Sequence, residues 1–242
     1  MTRILNLGCG TRTSPHTENI DWSIYLRLKR SRIGRALAAR ALAGIRREQF
    51  LRLDNNIVVH DLRTGIPAAD QSVDAVYHSH VLEHIDRDAV PSFFAEIRRV
   101  LRPDGIQRVV VPDLERYARA YLASFEASLC DGDARMRHDA TVSAMILQMV
   151  RREAFGTSKQ RQLQRRLENL VLGDARKRGE SHMWMWDRVN LGVALELAGF
   201  KDATVVDHRS SAIPRWQEIA LDLSEDGTQE YKPESLYMES RR

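Results

Sequence analysis

The apolar positions of this chain fall into two kinds of run. Short, nearly continuous apolar stretches recur seven times, at Arg3–Leu7, Glu18–Asp21, Ile57–His60, Asp74–His78, Gln107–Val111, Ala203–Val206 and Ser235–Met238. Several lack strict alternation, which suits strands buried on both faces of a parallel sheet. Between the later strands the period becomes helical. After Asp88, a predicted N-cap, Val90, Phe94, Ile97 and Leu101 recur on one face, with Pro91 tolerated in the first turn. Pro103-Asp104-Gly105 is predicted to stop that helix and turn the chain into the fifth strand. Asp187 is predicted to cap a further helix that carries Val189, Val193 and Leu197 on one side and closes at Gly199. Strand and helix in alternation predict an α/β fold, a Rossmann-like doubly wound sheet of seven mostly parallel strands.

Two stretches leave the alternation. Residues 22–55 are basic and helix-prone, with Ile33, Leu37, Ala41 and Ile45 at i+4 spacing. Residues 114–180 carry three stripes: Leu114, Tyr117, Tyr121 and Phe125; Val142, Met145, Ile146 and Met149; Leu163, Leu167 and Leu170. We expect one domain over residues 1–242 with these two helical insertions, their stripes packed on the core. Since no residues precede the first strand, the insertions are also expected to cap the site. Ser224–Pro233 reads as an exposed hairpin loop before the last strand.

Composition narrows the class. At 242 residues and 43% hydrophobic content, the chain has ample material for the core of a soluble globular protein. No apolar run approaches the roughly 20 residues of a membrane span, and the first strand leaves no room for a signal peptide. Two cysteines, Cys9 and Cys130, make neither a disulfide framework nor a thiolate metal site. A cytoplasmic protein is expected. The net charge is +4, but the cations cluster. One group is Arg27, Lys29, Arg30, Arg32, Arg35, Arg40, Arg46, Arg47 and Arg52; the other runs from Arg151 to Arg178. These are either solvated helix faces or surfaces for an anionic partner, and contact with a membrane surface through the first stays open. Neither zinc-ligand spacing nor an aromatic RNA-binding strand is present, so no nucleic-acid partner is expected. The oligomeric state is unset; a homodimer is compatible.

The first strand runs into Gly8-Cys9-Gly10, a turn where the backbone can approach a ligand closely. In open α/β sheets a nucleotide-like ligand lies at such a turn, with acids after the next strands for ribose and base. Gly8 and Gly10, Asp21 and Asp61 follow in that order. The third glycine of a dinucleotide fingerprint is replaced by Thr13, followed by Ser14-Pro15, so the turn suits a cofactor without phosphates.

Leu5–Gly10, Asn19-Ile20-Asp21, His60-Asp61-Leu62, Ser79–His84 and Leu101–Gly105 together resemble class I S-adenosylmethionine-dependent methyltransferases. The similarity is greatest to predicted methyltransferases of polysaccharide and natural-product gene clusters. Val111–Glu115, Met185–Arg188 and Ala198-Gly199-Phe200 extend it almost end to end. The resemblance implies S-adenosylmethionine as cofactor. Gly8, Cys9 and Gly10 would pass under its methionine part, Asp21 would take the ribose hydroxyls, and Asp61 with Leu62 would face the adenine. Trp22 would cover the adenine edge. Ser79 and His80 would lie beside the sulfonium and the methyl acceptor. Asn6 stands where many relatives have an acid, so its contact towards the cofactor amino group is expected to be weaker or water-mediated. Gly10 and Asp21 are so close that only a vestigial helix fits between them.

Methylation of a hydroxyl requires removal of its proton, for which histidine is suited near neutral pH. His80, His84 and His182 are the candidates, with Asp113 to orient one of them. Trp184 and Trp186, near His182, form either an acceptor platform or packing. His80-Val81-Leu82-Glu83-His84 matches an His-x-x-Glu-His zinc motif, but it follows a strand of the methyltransferase pattern. Some ubiquinone-pathway O-methyltransferases hold a divalent ion with acid-x-x-Glu-His at this place; here no metal is expected. The expected function is O-methylation of a small molecule or glycan. The alternatives are an RNA or protein acceptor held by the basic helices, or a cofactor-binding protein without transfer.

Overall fold

Each of the seven apolar runs becomes a strand, and all join one sheet. The computed structural model describes residues 2–41, 44–149 and 181–242. The strands are β1 (Ile4–Leu7), β2 (Glu18–Asp21), β3 (Val58–Val59), β4 (Val73–Ser79), β5 (Leu101–Pro112), β6 (Lys201–Val206) and β7 (Ser235–Arg241). Their order is β3-β2-β1-β4-β5-β7-β6. β7 runs antiparallel to both its neighbours, and the other pairings are parallel. The order reverses between β1 and β4. That is the topological switch point, where a crevice opens at the carboxyl ends of the strands.

Side chains alternate between the two faces of the sheet, as the two-residue period of a strand dictates. Leu5, Leu7, Val109, Val111, Leu236 and Met238 pack against Phe94 and Ile97 of α4 (Val90–Val100) and Leu191 and Leu195 of α7 (Arg188–Leu197). Ile4, Tyr77, Val110 and Tyr237 face the other way, onto Trp216 and Ile219 of the short α8 (Trp216–Ile219). A third cluster joins Cys9 to Leu26, Ala38, Phe50, Leu53 and Ile57. It packs the first insertion, made of α1 (Ile24–Arg30), α2 (Arg32–Ala41) and α3 (Gly44–Arg52), beside the end of β1.

Several local expectations are corrected. Asp88 does not cap α4: a 3-10 turn over Arg87–Ala89 precedes the helix, and Ala89 occupies the cap position without a side-chain bond. Pro103-Asp104-Gly105 turns the chain, with Asp104 at φ +61, but inside β5 rather than before it. Val73 pairs with Leu101 and Ala75 with Ile106, so the turn is a bulge between paired flanks. In α7 the expected stripe faces out, with Val189 at 69% and Leu197 at 85% exposure. This helix carries two apolar stripes, and spacing alone does not choose between them. Its start is as predicted: Asp187 accepts from the N–H groups of Val189 and Asn190, and Asn190 closes a capping box. Gly199 ends it at φ +84.

The insertions are less buried than their patterns suggest. Ile33 is 74% exposed, and α5 (Leu114–Ser128) has no fully buried residue. α5 packs instead on α6 (Gly132–Met149), where Tyr121 lies 5.6 Å from the His138 ring and Ser124 Oγ is 2.9 Å from His138 Nδ1. The side chains of Leu37, Ala41, Ile45 and Met149, and all of Leu163, Leu167 and Leu170, lie outside the described residues. Among the described residues no helix is long and apolar enough to cross a membrane.

One buried cation fastens the carboxyl-terminal segments to the sheet. Arg108 on β5 is fully buried; its Nε donates to Asp222 (2.8 Å) and its Nη1 to Glu239 (2.7 Å). It also donates to the carbonyls of Asp207 and Ser210 and stacks 4.6 Å from the Trp216 ring. Removing one partner from such a group strands the others in a medium that cannot solvate them. Arg108→Met is therefore expected to lower the unfolding free energy by about 3–5 kcal/mol, read from urea denaturation. A loss under about 1 kcal/mol would show that Asp222 and Glu239 do not depend on it.

Candidate active site

The site begins where β1 ends. Gly8 adopts φ +64, and a Cβ placed on it would lie 2.4 Å from Val81 Cγ2, so the close approach of these two segments requires glycine. The N–H groups of Gly8 and Cys9 both donate to the carbonyl of Ile20, tying the turn to β2. Gly10 adopts φ +53, and a Cβ there would meet nothing within 4 Å. Its N–H donates to Asp21 Oδ2 (2.8 Å), while Asp21 Oδ1 accepts from the N–H of Ser23 (2.6 Å). Ser23 in turn caps α1. Asn6 is buried, and its Nδ2 donates to the carbonyl of Arg12 and to Asn19 Oδ1, both at 2.9 Å. An ionised acid at this position could donate neither bond.

Across the switch point, β4 ends at Ser79 and His80 follows with φ +53, its N–H donating to the carbonyl of Val110. His80 Nε2 lies 2.9 Å from Ser235 Oγ, and that hydroxyl donates to the carbonyl of Lys232. His80 Nδ1 lies 3.1 Å from Oε1 of the fully buried Glu83. Burial alone would raise the Glu83 carboxyl; the imidazoles of His80 and His84, with Lys232, reverse this and hold it at about 2. Burial outweighs the pull of Glu83 on both imidazoles and lowers His80 and His84 below the ordinary histidine value.

Between these strand ends lies a cavity of about 380 Å³. Asn6 and the turn Gly8 to Arg12 form one wall, and Tyr77, Ser79 and His80 another. Ser23, Tyr25 and Leu53 of the first insertion and Tyr231 and Lys232 of the carboxyl-terminal loop complete it. The expected exposed loop is thus exposed at residues 225–229 and at Pro233, whereas Tyr231 and Lys232 are half-buried and line the cavity. Among the described residues, none of α5 or α6 lines it.

The candidates from the sequence divide accordingly. Asn6, Gly8, Cys9, Gly10, Ser79 and His80 line the cavity, with Asp21 behind the turn it holds. The Cys9 thiol is raised well above its usual range, by burial first and then by Asp21. Trp22 is 40% exposed beneath the guanidinium of Arg27, 4.8 Å from its ring. Asp61 caps the 3-10 turn Leu62–Thr64 and is paired with Arg63 (2.7 Å), whose hydrogen bonds lower its pKa; Leu62 packs on the main core. Neither lines the cavity. Asp113 does not orient a histidine: its carboxylate caps α5 by accepting from the N–H of Glu115 (3.0 Å). Its acidity is lowered by burial.

His84 and His182 lie behind His80, their rings edge to face at 4.9 Å, with His84 Nδ1 bonded to the carbonyl of Ser181. Glu83, His84 and His182 bring ligand-type atoms within 4.8 Å of one another, a grouping that includes a residue far outside the local motif. Trp186 is core packing, whereas Trp184 is partly exposed under Arg87 at 4.1 Å. The unforeseen cavity residues are Thr11, Arg12, Ser23, Tyr25, Leu53, Tyr77, Tyr231 and Lys232. Thr11 and Ser23 adjoin predicted site residues and Arg12 follows Thr11, so these were within reach of a positional argument; Tyr231 and Lys232 carried no such signal.

The open space at Gly10 is the feature that fits a ligand laid along the turn, since any side chain there would fill it. Residues 5–109 match the family model of a methyltransferase domain. A search of curated proteins returned no match to this chain. Similar solved structures include a S-adenosylmethionine-dependent methyltransferase from Archaeoglobus fulgidus (12% identity, 100% of this chain and 86% of that one, TM-score 0.42). Another is the 1,6-didemethyltoxoflavin-N1-methyltransferase of Burkholderia thailandensis (16%, 99% and 70%, 0.41). A third is a S-adenosylmethionine-dependent methyltransferase of Mesorhizobium loti (16%, 99% and 90%, 0.40). At these TM-scores no residue role is carried across. The family match takes in the glycine turn and the first five strands, so residues 5–109 are similar to a methyltransferase domain.

Proposed function

We propose that this chain is a class I S-adenosylmethionine-dependent methyltransferase and that it methylates a hydroxyl oxygen of a small molecule or of a glycan end, held in the cavity between the glycine turn and His80. The observation that carries this reading is the placement of His80. Of the three candidate histidines it lines the cavity, with Glu83 Oε1 3.1 Å from Nδ1; Nε2, 2.9 Å from Ser235 Oγ, is the nitrogen that would exchange that contact for the acceptor hydroxyl and take its proton. Gly8, Cys9 and Gly10, with Asp21, are the residues that would hold the cofactor. When bound, S-adenosylmethionine supplies an electrophilic methyl group on a sulfonium. The protein must then align the acceptor, keep water out and take one proton.

His80 suits the last task because burial keeps its imidazole neutral at neutral pH, and Glu83 would stabilise the imidazolium that forms. The first insertion and the carboxyl-terminal loop wall the cavity on two sides, which favours a small acceptor over a folded macromolecule. The basic helices offer less to an RNA than their sequence suggests. Lys29 Nζ is bonded to the carbonyls of Phe50, Leu51 and Leu53, Arg30 to that of Ile57, and Arg27 lies on Trp22.

Calorimetric titration with S-adenosylhomocysteine is expected to give one site per chain. Gly10→Ala adds a methyl group in open space at a left-handed φ. It is expected to cost about 1–2 kcal/mol in stability and to weaken that binding at least ~10-fold. Unchanged affinity would remove the turn from the site.

His80→Ala is expected to lower kcat/KM about 10²–10⁴-fold on any hydroxyl acceptor that turns over, with S-adenosylhomocysteine affinity within about twofold of wild type. A base must be neutral to act, and a lowered pKa keeps it neutral to more acidic pH. The acidic limb of the wild-type kcat/KM profile should therefore lie below the ordinary imidazole value of 6.5. Undiminished turnover by the variant, or a limb above that value, would exclude His80 as the base.

A further inference from the structure

We infer that Arg12 anchors the carboxylate of the bound cofactor, holding the amino-acid end of S-adenosylmethionine just beyond the glycine turn. This rests on the reading of the cavity as the cofactor site. Arg12 stands on the wall formed by Asn6 and the turn, not on the wall of Ser79 and His80.

The backbone of Arg12 belongs to the turn itself. Its N–H donates to the carbonyl of Cys9 (2.8 Å), which closes a four-residue turn with Gly10 and Thr11 at its centre. Its carbonyl accepts from Asn6 Nδ2 (2.9 Å). Since no helix lies between β1 and β2, no helix start is there to take an anion. The first cation after Gly10 is Arg12.

The guanidinium is oriented by the carboxyl-terminal part of the chain. Its Nε donates to the carbonyl of Leu221 (3.1 Å), and its Nη2 to those of Ala220 (2.5 Å) and Leu223. Ala220 helps these carbonyls converge by taking a left-handed φ of +51, which is unfavourable for a residue with a Cβ. The Tyr231 ring lies 4.7 Å from the guanidinium carbon. Of the five N–H donors of a guanidinium, the two on Nη1 have no hydrogen-bond partner among the described residues.

A fixed guanidinium with donors left over meets a carboxylate in a charge-assisted hydrogen bond. The three groups that orient Arg12 are neutral carbonyls, and it forms no ion pair among the described residues. The carboxylates of the segments that it joins have other donors. Asp21 accepts from the N–H groups of Gly10 and Ser23, and Asp222 from the Tyr77 hydroxyl and from Arg108. Lys232, the other cation that lines the cavity, is joined through its carbonyl to Ser235 and so to His80. S-adenosylmethionine brings one carboxylate, and Arg12 is the cation built into the turn along which it would lie.

The test is calorimetric titration with two ligands, S-adenosylhomocysteine and its decarboxylated form, which keeps the amine and lacks only the carboxylate. The wild-type chain is expected to bind S-adenosylhomocysteine at least ~10-fold more tightly, the scale of one charge-assisted hydrogen bond. Arg12→Gln should weaken S-adenosylhomocysteine at least ~10-fold and leave the decarboxylated ligand within about twofold of wild type. An Arg12 that only braced the fold would weaken both ligands alike. Lys232→Met should keep the wild-type ratio. Arg12 also holds the 220–223 turn, so the wild-type ratio and Lys232→Met decide the matter should Arg12→Gln fail to fold. The inference is overturned if the wild type binds both ligands equally, if Arg12→Gln weakens both alike, or if Lys232→Met abolishes the difference. Each of those results leaves the cofactor reading standing, whereas failure of both ligands to bind would remove that reading itself.

Discussion

Two backbone N–H groups converge on one carboxylate, and the site depends on that convergence. Gly10 and Ser23 both donate to Asp21, one to each oxygen. The first bond holds the turn after β1 and the second starts the insertion that walls the cavity. Asn6 adds a brace from inside the strand, through the carbonyl of Arg12. No helix lies between β1 and β2, so the stiffness a helix would lend to the turn comes from charge-assisted and buried hydrogen bonds. Each carboxylate oxygen of Asp21 keeps a further acceptor position, so the clamp leaves capacity for a ligand.

The opposite wall is built from longer-range contacts. His80 sits at a left-handed φ, fixed by its N–H to β5 and by its ring to β7 through Ser235. β7 reaches that position because it pairs along the length of β5, and the chain leading into it is fastened by Arg108 with Asp222 and Glu239. Tyr77 links the two systems, since its hydroxyl donates to Asp222 (2.6 Å) while the residue also lines the cavity. The carboxyl-terminal third of the chain therefore contributes to the site by bringing Tyr231 and Lys232 to a cavity otherwise lined by residues before 81, and Ser235 to His80.

The strands and the glycine turn were legible in the sequence because both are local. An apolar run bounded by turn residues has few other uses, and Gly8-Cys9-Gly10 after β1 needs no distant partner to be read. The Asp187 capping box was legible for the same reason. The failures are tertiary. The two apolar stripes of α7 are equivalent until the sheet chooses Leu191 and Leu195. Asp61 has a partner, Arg63, that its place after a strand did not announce. Asp113, adjacent to a strand end, became a helix cap because α5 starts directly after it. Tyr231 and Lys232 lie in a polar loop whose approach to the cavity depends on the antiparallel return of β7, which no periodicity encodes.

The central claim is that the cofactor lies along the Gly8 to Gly10 turn with its reacting end towards His80. A crystal structure with S-adenosylhomocysteine tests this most directly. The ligand is predicted in the cavity between the turn and Ser79-His80, its sulfur on the His80 side and the open space at Gly10 filled. A ligand bound elsewhere on the chain, or seated with its sulfur away from His80, would contradict the account.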